Sequence, residues 1–397
     1  MSATSETNAQ NRRDRGLGYV AAAIAVSASA YATLLNMPAL LGAFARLGGL
    51  SDQQIGVIGS GQLLGVTCGT LVIAMIRGGQ VFGWLLGAAC LVGGGNVIAA
   101  HADSVLIVTL AMWGVGIGAG IGGGFAYKIA GQVENPERAL ALVNMCQLLT
   151  GIVGYQILRV ALPQFGLTSV LTGYGALGVV IALAAIWIRR AHLEEANTDA
   201  NAKAFDWRLP PAQAMVVLAG QWIFNCGEMG LWAFAERIGI ARGFHAYELS
   251  VPLSAMGAAG MVISLVVATI LTRVPRSVIF VANLLVAYAA VLLLFTAQSV
   301  TAYAVACAML GVYFFINIPT VLGFVSRLDP TGRSTALGLT VASTGQAVGP
   351  SLAGSLVHSA DYTPIGWFAV ASFTLSTLVL LGYLFWRKRQ RHDPVVA

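Results

Sequence analysis

Charge is scarce in this chain. Only 10% of its 397 residues are Asp, Glu, Lys or Arg, against roughly 25% in an ordinary soluble protein. So few charged side chains cannot cover a water-facing surface of this size, and the mean hydropathy of +0.78 points the same way. A soluble enzyme, a nucleic-acid-binding domain and a secreted scaffold are excluded. Cysteine is sparse as well. Cys68, Cys90, Cys146, Cys226 and Cys307 lie far apart in apolar runs with no CxxC pair, so they read as small hydrophobic packers. There is no Walker loop, no HExxH, no nucleophile elbow and no metal-spaced histidine cluster. His101, His192, His245, His358 and His392 fall in loops, at span ends or in the tail. No metal, no cofactor and no catalytic constellation is expected, so the chain does not read as an enzyme.

Long apolar runs are what the sequence has in quantity, with 57% hydrophobic residues and 47 glycines. A transmembrane β-barrel needs short segments of alternating polarity, which these runs are not. Close helix packing in lipid explains the glycine. A helix needs about 20 apolar residues to cross a bilayer. Spans are expected near 18–41, 54–76, 81–100, 104–127, 139–162, 167–188, 213–235, 249–271, 277–297, 300–325, 335–357 and 365–386. The expectation is an all-α integral membrane protein of twelve helices with both termini cytoplasmic. Residues 1–17 form an N-terminal tail, 18–190 and 212–386 two six-helix bundles, 191–211 a polar central linker and 387–397 a C-terminal tail. Placing the N-terminus inside puts 18 of the 22 Lys and Arg residues on the cytoplasmic side and 4, Arg46, Arg159, Arg237 and Arg242, outside, as the positive-inside rule requires. The basic run Arg12–Arg15 and Ala28-Ser29-Ala30 imitate a signal peptide. The apolar run continues to Leu41, however, and cleavage would spoil that charge asymmetry.

The halves resemble each other. Ala111-Met112-Trp113-Gly114-Val115 matches Ala308-Met309-Leu310-Gly311-Val312 at an offset of 197, and Arg77 corresponds to Arg273 at 196. Asn135-Pro136-Glu137-Arg138 parallels Asp329-Pro330-Thr331-Gly332-Arg333, and Trp187-Ile188-Arg189-Arg190 parallels Phe385-Trp386-Arg387-Lys388. Ordered matches at nearly constant offset indicate duplication of a six-helix unit. Twelve spans, a central cytoplasmic loop and a 6+6 parallel repeat resemble the major facilitator superfamily. Of that family's G-x-x-x-D-R-x-G-R signature after the second span, Arg77 and Gly79 remain. Ile76 stands for the acid and Gln80 for the last arginine, while the second-half copy keeps Arg273 and Arg276. The resemblance implies a cytoplasmic gate at Arg77, Arg273 and Arg276, a central cavity lined by the first, fourth, seventh and tenth spans, a monomer in the lipid bilayer, and a bacterial inner-membrane location.

Residues at i, i+4 and i+7 share one helical face. Ser29, Thr33 and Asn36 do so on the first span, Gln221, Asn225, Glu228 and Trp232 on the seventh, and Tyr313, Asn317 and Thr320 on the tenth. Polar groups facing hydrocarbon are costly, so such stripes line a cavity or bond neighbouring helices. On the fourth span Gly116, Gly120 and Gly124 follow GxxxG spacing, which leaves room for a ligand or permits tight packing. Trp113, Tyr31, Asn144, Gln147 and Gln346 are further cavity candidates. Glu228 is the one acid well inside a span and marks a proton- or substrate-handling position; alternatively it pairs with Arg159, the nearest outer cation. Glu236 and Arg237 read as an interfacial pair at the outer helix end.

With no nucleotide domain, energy must come from an ion or solute gradient. The expectation is a proton-coupled symporter for a small amphiphilic or weakly acidic solute, with substrate and protons as its partners and no nucleic acid. An efflux antiporter for lipophilic compounds is the alternative, and a non-transporting membrane sensor the minor one.

Overall fold

The computed structural model describes residues 3–76, 81–133, 135–190, 211–329 and 333–392. Arg77 and most of the central linker, 191–210, lie outside the described residues. Thirteen helices account for nearly all of the rest: α1 Ala3–Leu35, α2 Met37–Gly48, α3 Asp52–Met75, α4 Val81–His101, α5 Val105–Ala130, α6 Pro136–Arg190, α7 Ala212–Ala233, α8 Ala235–Ala241, α9 Ser250–Arg273, α10 Arg276–Thr296, α11 Val300–Leu328, α12 Arg333–Leu356 and α13 Thr363–His392. Among the described residues, nine helices are long and apolar enough to cross a membrane. One of them, α6, is 55 residues long and breaks at Gly166, whose φ of 74° and ψ of 174° no helix accommodates. Pro163 sits just before the break and removes a backbone donor there.

Two further breaks shape the bundle. The first expected span stops at Asn36, φ −103° and ψ 14°, and resumes as α2. Pro38 in the first turn of α2 has no N–H for the preceding turn, and the Asn36 amide donates to the Ala32 carbonyl at 2.9 Å. The seventh stops at Phe234, φ −100° and ψ 6°, and resumes as α8. The helix α3 starts cleanly because Ser51 and Gln54 form a capping box: Gln54 N–H donates to Ser51 Oγ at 3.3 Å, and Ser51 N–H to Gln54 Oε1 at 2.9 Å.

Helix pairings recur along the chain. α3 packs on α5 as α9 packs on α11; α1 packs on α6 as α7 packs on α12; α4 packs on α6 as α10 packs on α13. Across the two sets, α3 meets α12 and α6 meets α9. The α3–α5 seam is built from glycine on both sides. A Cβ on Gly116 would run into the Gln62 carbonyl, one on Gly120 into that of Val66, and one on Gly65 into that of Trp113. Tight packing, and not room for a ligand, is therefore what these α5 glycines provide. In the other set Gly311 presses on Met256 as Gly116 presses on Gln62. That register is about two residues short of the 197 offset read from the sequence. Gly116→Ala is expected to destabilise the protein by about 1–3 kcal/mol, since backbone must move. Gly87→Ala, where nothing lies within 4 Å, should leave the melting temperature in detergent nearly unchanged.

The apolar core is continuous at one end and divided at the other. One cluster joins residues of α2, α3, α5 and α6 to residues of α7 through α13. Toward the end bearing the chain termini it gives way to two separate clusters. One is built around Val26, Leu85, Phe125 and Ile181, the other around Val217, Phe280, Phe324 and Leu380. A bundle with a shared core at one end and split cores at the other is wedge-shaped, with its gap facing the termini.

Candidate functional site: a central cavity and a latched end

The gap holds a cavity of about 850 Å³. Its longest wall is the first limb of α6, where Arg138, Ala141, Asn144, Met145, Leu148, Gly151, Ile152 and Tyr155 follow helical spacing. The facing wall is α9, with Met256, Met261 and Ser264, and α11 contributes Phe314, Phe315 and Pro319. Tyr31 from α1, Glu228, Met229 and Trp232 from α7, and Gln346 from α12 complete it. Arg138 is exposed and marks the mouth; Glu228 is only 3% exposed and lies deep. One oxygen of Glu228 has no hydrogen-bond partner among the described residues. Among the described residues it is the only acid lining the cavity, and Arg138 the only Lys or Arg.

Of the residues singled out from sequence, Glu228, Trp232, Asn144, Gln147, Gln346 and Tyr31 are brought together here. The Tyr127 hydroxyl donates to Asn144 Oδ1 at 2.6 Å and to Gln147 Oε1 at 3.3 Å, which orients both amides. Asn144 also donates to the Leu140 carbonyl at 3.1 Å. Gln346 Nε2 donates to Asn225 Oδ1 at 3.2 Å, and Asn225 donates to the Gln221 carbonyl at 2.7 Å. Asn225 and Gln221 thus stand behind the cavity wall and hold Gln346.

The remaining stripe residues lie elsewhere. Ser29 is buried, and Thr33 donates to Asn96 Oδ1 of α4 at 3.3 Å. Asn36 belongs to the α1–α2 break, wedged against Gly154. Tyr313 is enclosed by Phe224 and Phe373, at ring distances of 5.1 and 4.7 Å. Asn317 is buried with its Oδ1 unpartnered among the described residues, and Thr320 bonds back to the Ile316 carbonyl. Trp113 points away from the cavity and is 37% exposed, because α5 turns its glycine face to α3. Arg159 is not beside Glu228; its guanidinium lies over the Tyr247 ring at 5.9 Å. Arg276 sits over Phe324 at 5.2 Å and donates to the Gly323 carbonyl, while Arg273 is exposed. Sequence reasoning missed the α9 wall, whose signal is a run of Met and small residues without polar marks. It also missed Arg138 and Tyr155, which continue the same α6 face as Asn144.

The end opposite the mouth is latched. Glu236 of α8 accepts from Arg46 Nη1 of α2 at 2.5 Å, and Arg237 Nε of α8 donates to Asp52 Oδ1 of α3 at 3.1 Å. Neither acid–base neighbour therefore pairs with the other; each reaches across the bundle. Gly42, one turn before Arg46, leaves the notch in which the Glu236 carboxylate lodges. The Tyr362 hydroxyl donates to Asp52 as well, at 3.0 Å to Oδ1. Ser351 N–H donates to Ser60 Oγ at 2.8 Å, and Gln156 Nε2 to Ser254 Oγ at 2.8 Å. Gly56 and Gly354 let α3 and α12 touch backbone to backbone.

A largely apolar chamber with one deep carboxyl, oriented amides and aromatic side chains suits a small solute with an apolar body and a few polar groups. The fold matches solved structures. The crystal structure of a point mutant of the nucleoside transporter NupG superposes with a TM-score of 0.77, covering 92% of this chain and 99% of that one at 11% identity. The crystal structure of NupG itself gives 0.64, covering 93% and 98% at 12% identity. Comparison with curated protein sequences finds no match. The family model for the major facilitator superfamily matches residues 17–342, and the chain belongs to that superfamily of transporters.

Proposed function

We propose that the protein is a secondary transporter carrying a small amphiphilic or weakly acidic organic solute across the bacterial inner membrane together with a proton. The observation that carries this reading is Glu228, the one carboxyl group lining the central cavity, deep and without an ion-pair partner among the described residues. Such a group can hold and release a proton beside a bound solute. In this reading α1 with α2 forms the first span, the two limbs of α6 the fifth and sixth, and α7 and α12 complete twelve. The recurring helix pairings support a duplicated six-helix unit with bundles at 18–190 and 212–386. The charge asymmetry supports cytoplasmic termini and a cytoplasmic cavity mouth; in this reading the wedge is inward-facing with its outer end latched. Transport proceeds as the bundles rock about the central cavity, and Arg77, Arg273 and Arg276 belong to the gate that closes the mouth.

Proteoliposomes with an imposed pH gradient test this. The likeness to a nucleoside transporter makes labelled uridine the neutral probe, with labelled benzoate as the weak acid. An alkaline interior should accelerate accumulation of one of them. The methionine and phenylalanine walls favour proton-coupled efflux of lipophilic compounds as a second reading. That reading requires the opposite sign, with ethidium accumulating when the interior is acidic. Uptake indifferent to the gradient in every case would overturn proton coupling.

A further inference from the structure

A second cavity, of about 250 Å³, lies at the latched end between α2, α6, α8 and the start of α9. Its apolar surface comes from Leu47, Leu158, Leu162 and Pro163. Its charged groups are Arg46, Arg159 and Glu236, two guanidinium groups and one carboxylate. Glu236 pairs with Arg46 through Oε1, while its Oε2 has no hydrogen-bond partner among the described residues; counted by charge, the pairing leaves one positive group over. That charge is Arg159, which is exposed, has the Tyr247 ring on one side and has no carboxylate within ion-pair distance among the described residues. Tyr155 supplies a second unmet demand. It is 4% exposed, lines this cavity, and its hydroxyl has no partner among the described residues. A buried hydroxyl without a partner is costly, and a carboxylate oxygen would accept from it.

We propose that this outer cavity is a binding site for a small organic monoanion with a compact apolar or aromatic body, its carboxylate held by Arg159 and the Tyr155 hydroxyl. The planar guanidinium can take both carboxylate oxygens, and Tyr247 and the leucine–proline wall take the body of the ligand. A dianion would face the Glu236 carboxylate uncompensated, and a neutral solute would leave Arg159 unmatched. Tyr155 and Leu253 line the outer and the central cavity alike, so they form the partition between the two. A monoanion seated outside is one side chain away from the central chamber. That last step rests on the transport reading above; the binding itself does not.

Titrating benzoate against the purified full-length protein in nanodiscs, with no gradient imposed, tests the site apart from transport. Benzoate should bind at least roughly tenfold more tightly than benzyl alcohol, and Arg159→Gln should weaken it by a similar factor, while Arg159→Lys retains part of the affinity. Tyr155→Phe, which removes only the hydroxyl, should weaken binding severalfold and serves if Arg159→Gln fails to fold. Equal binding of benzoate and benzyl alcohol, or undiminished benzoate binding by both Arg159→Gln and Tyr155→Phe, would overturn the proposal.

Discussion

Glu228→Gln is expected to reduce pH-gradient-driven uptake by at least an order of magnitude while leaving equilibrium exchange of solute intact. The amide keeps the size of the side chain and its capacity to hydrogen-bond, but it cannot take up and release a proton. In the proton-coupled reading, exchange requires only that the loaded carrier reorient, so it survives, whereas net transport requires a proton cycle, so it does not. A structural ion pair would behave differently, because removing one partner of a buried pair costs about 3–5 kcal/mol. Glu228 has no such partner among the described residues and one of its oxygens bonds nothing there. The melting temperature of the variant should therefore stay close to that of the parent. Driven uptake, exchange and melting measured on one preparation separate the outcomes, and undiminished driven uptake in a stable variant would remove Glu228 from the proton cycle.

The combined variant Glu236→Gln with Asp52→Asn is expected to open the latched end. Both bridges are shielded: side-chain exposure is 25% and 3% for Arg46 and Glu236, and 19% and 16% for Arg237 and Asp52. Each should contribute about 1 kcal/mol or more to closure, and together they hold the ratio of open to closed by at least roughly tenfold. Ser60 lies in the seam between α3 and α12 and accepts from the Ser351 N–H. A Ser60→Cys reporter in a background lacking the five native cysteines should react with a membrane-impermeant maleimide about tenfold faster in the double variant. An unchanged rate would show that the apolar core shared at that end, and not the ion pairs, keeps it shut.

The sequence makes the helices and the deep acid easy to find, because apolar length and a lone carboxylate are local properties. It makes the cavity wall only half legible. The arc spanned by Gln221, Asn225, Glu228 and Trp232 is real, but α12 packs over part of it, so only Glu228 and Trp232 reach the chamber. A stripe reveals which side of a helix is polar, not how much of that side a neighbour covers. The same limit applies to Tyr313, whose aromatic neighbours Phe224 and Phe373 come from α7 and α13. Glycine at Gly116 and Gly120 is readable as close approach, but whether the approaching group is a helix or a ligand depends on α3, far away in sequence. The latch is the least accessible feature, since its partners are 190 and 185 residues apart. Adjacent opposite charges at Glu236 and Arg237 invite a local pairing that the helix geometry of α8 does not make.

The composition of that latch has an electrical consequence. Its four charges, Arg46, Asp52, Glu236 and Arg237, sum to zero, and each positive group moves apart from a negative one when the end opens. Displacing a single elementary charge through the membrane field is worth about 2.3 kcal/mol per 100 mV. Here the contributions cancel in pairs. The membrane potential therefore has little purchase on opening this end; in the proton-coupled reading it acts instead on the proton and on any charge the solute carries.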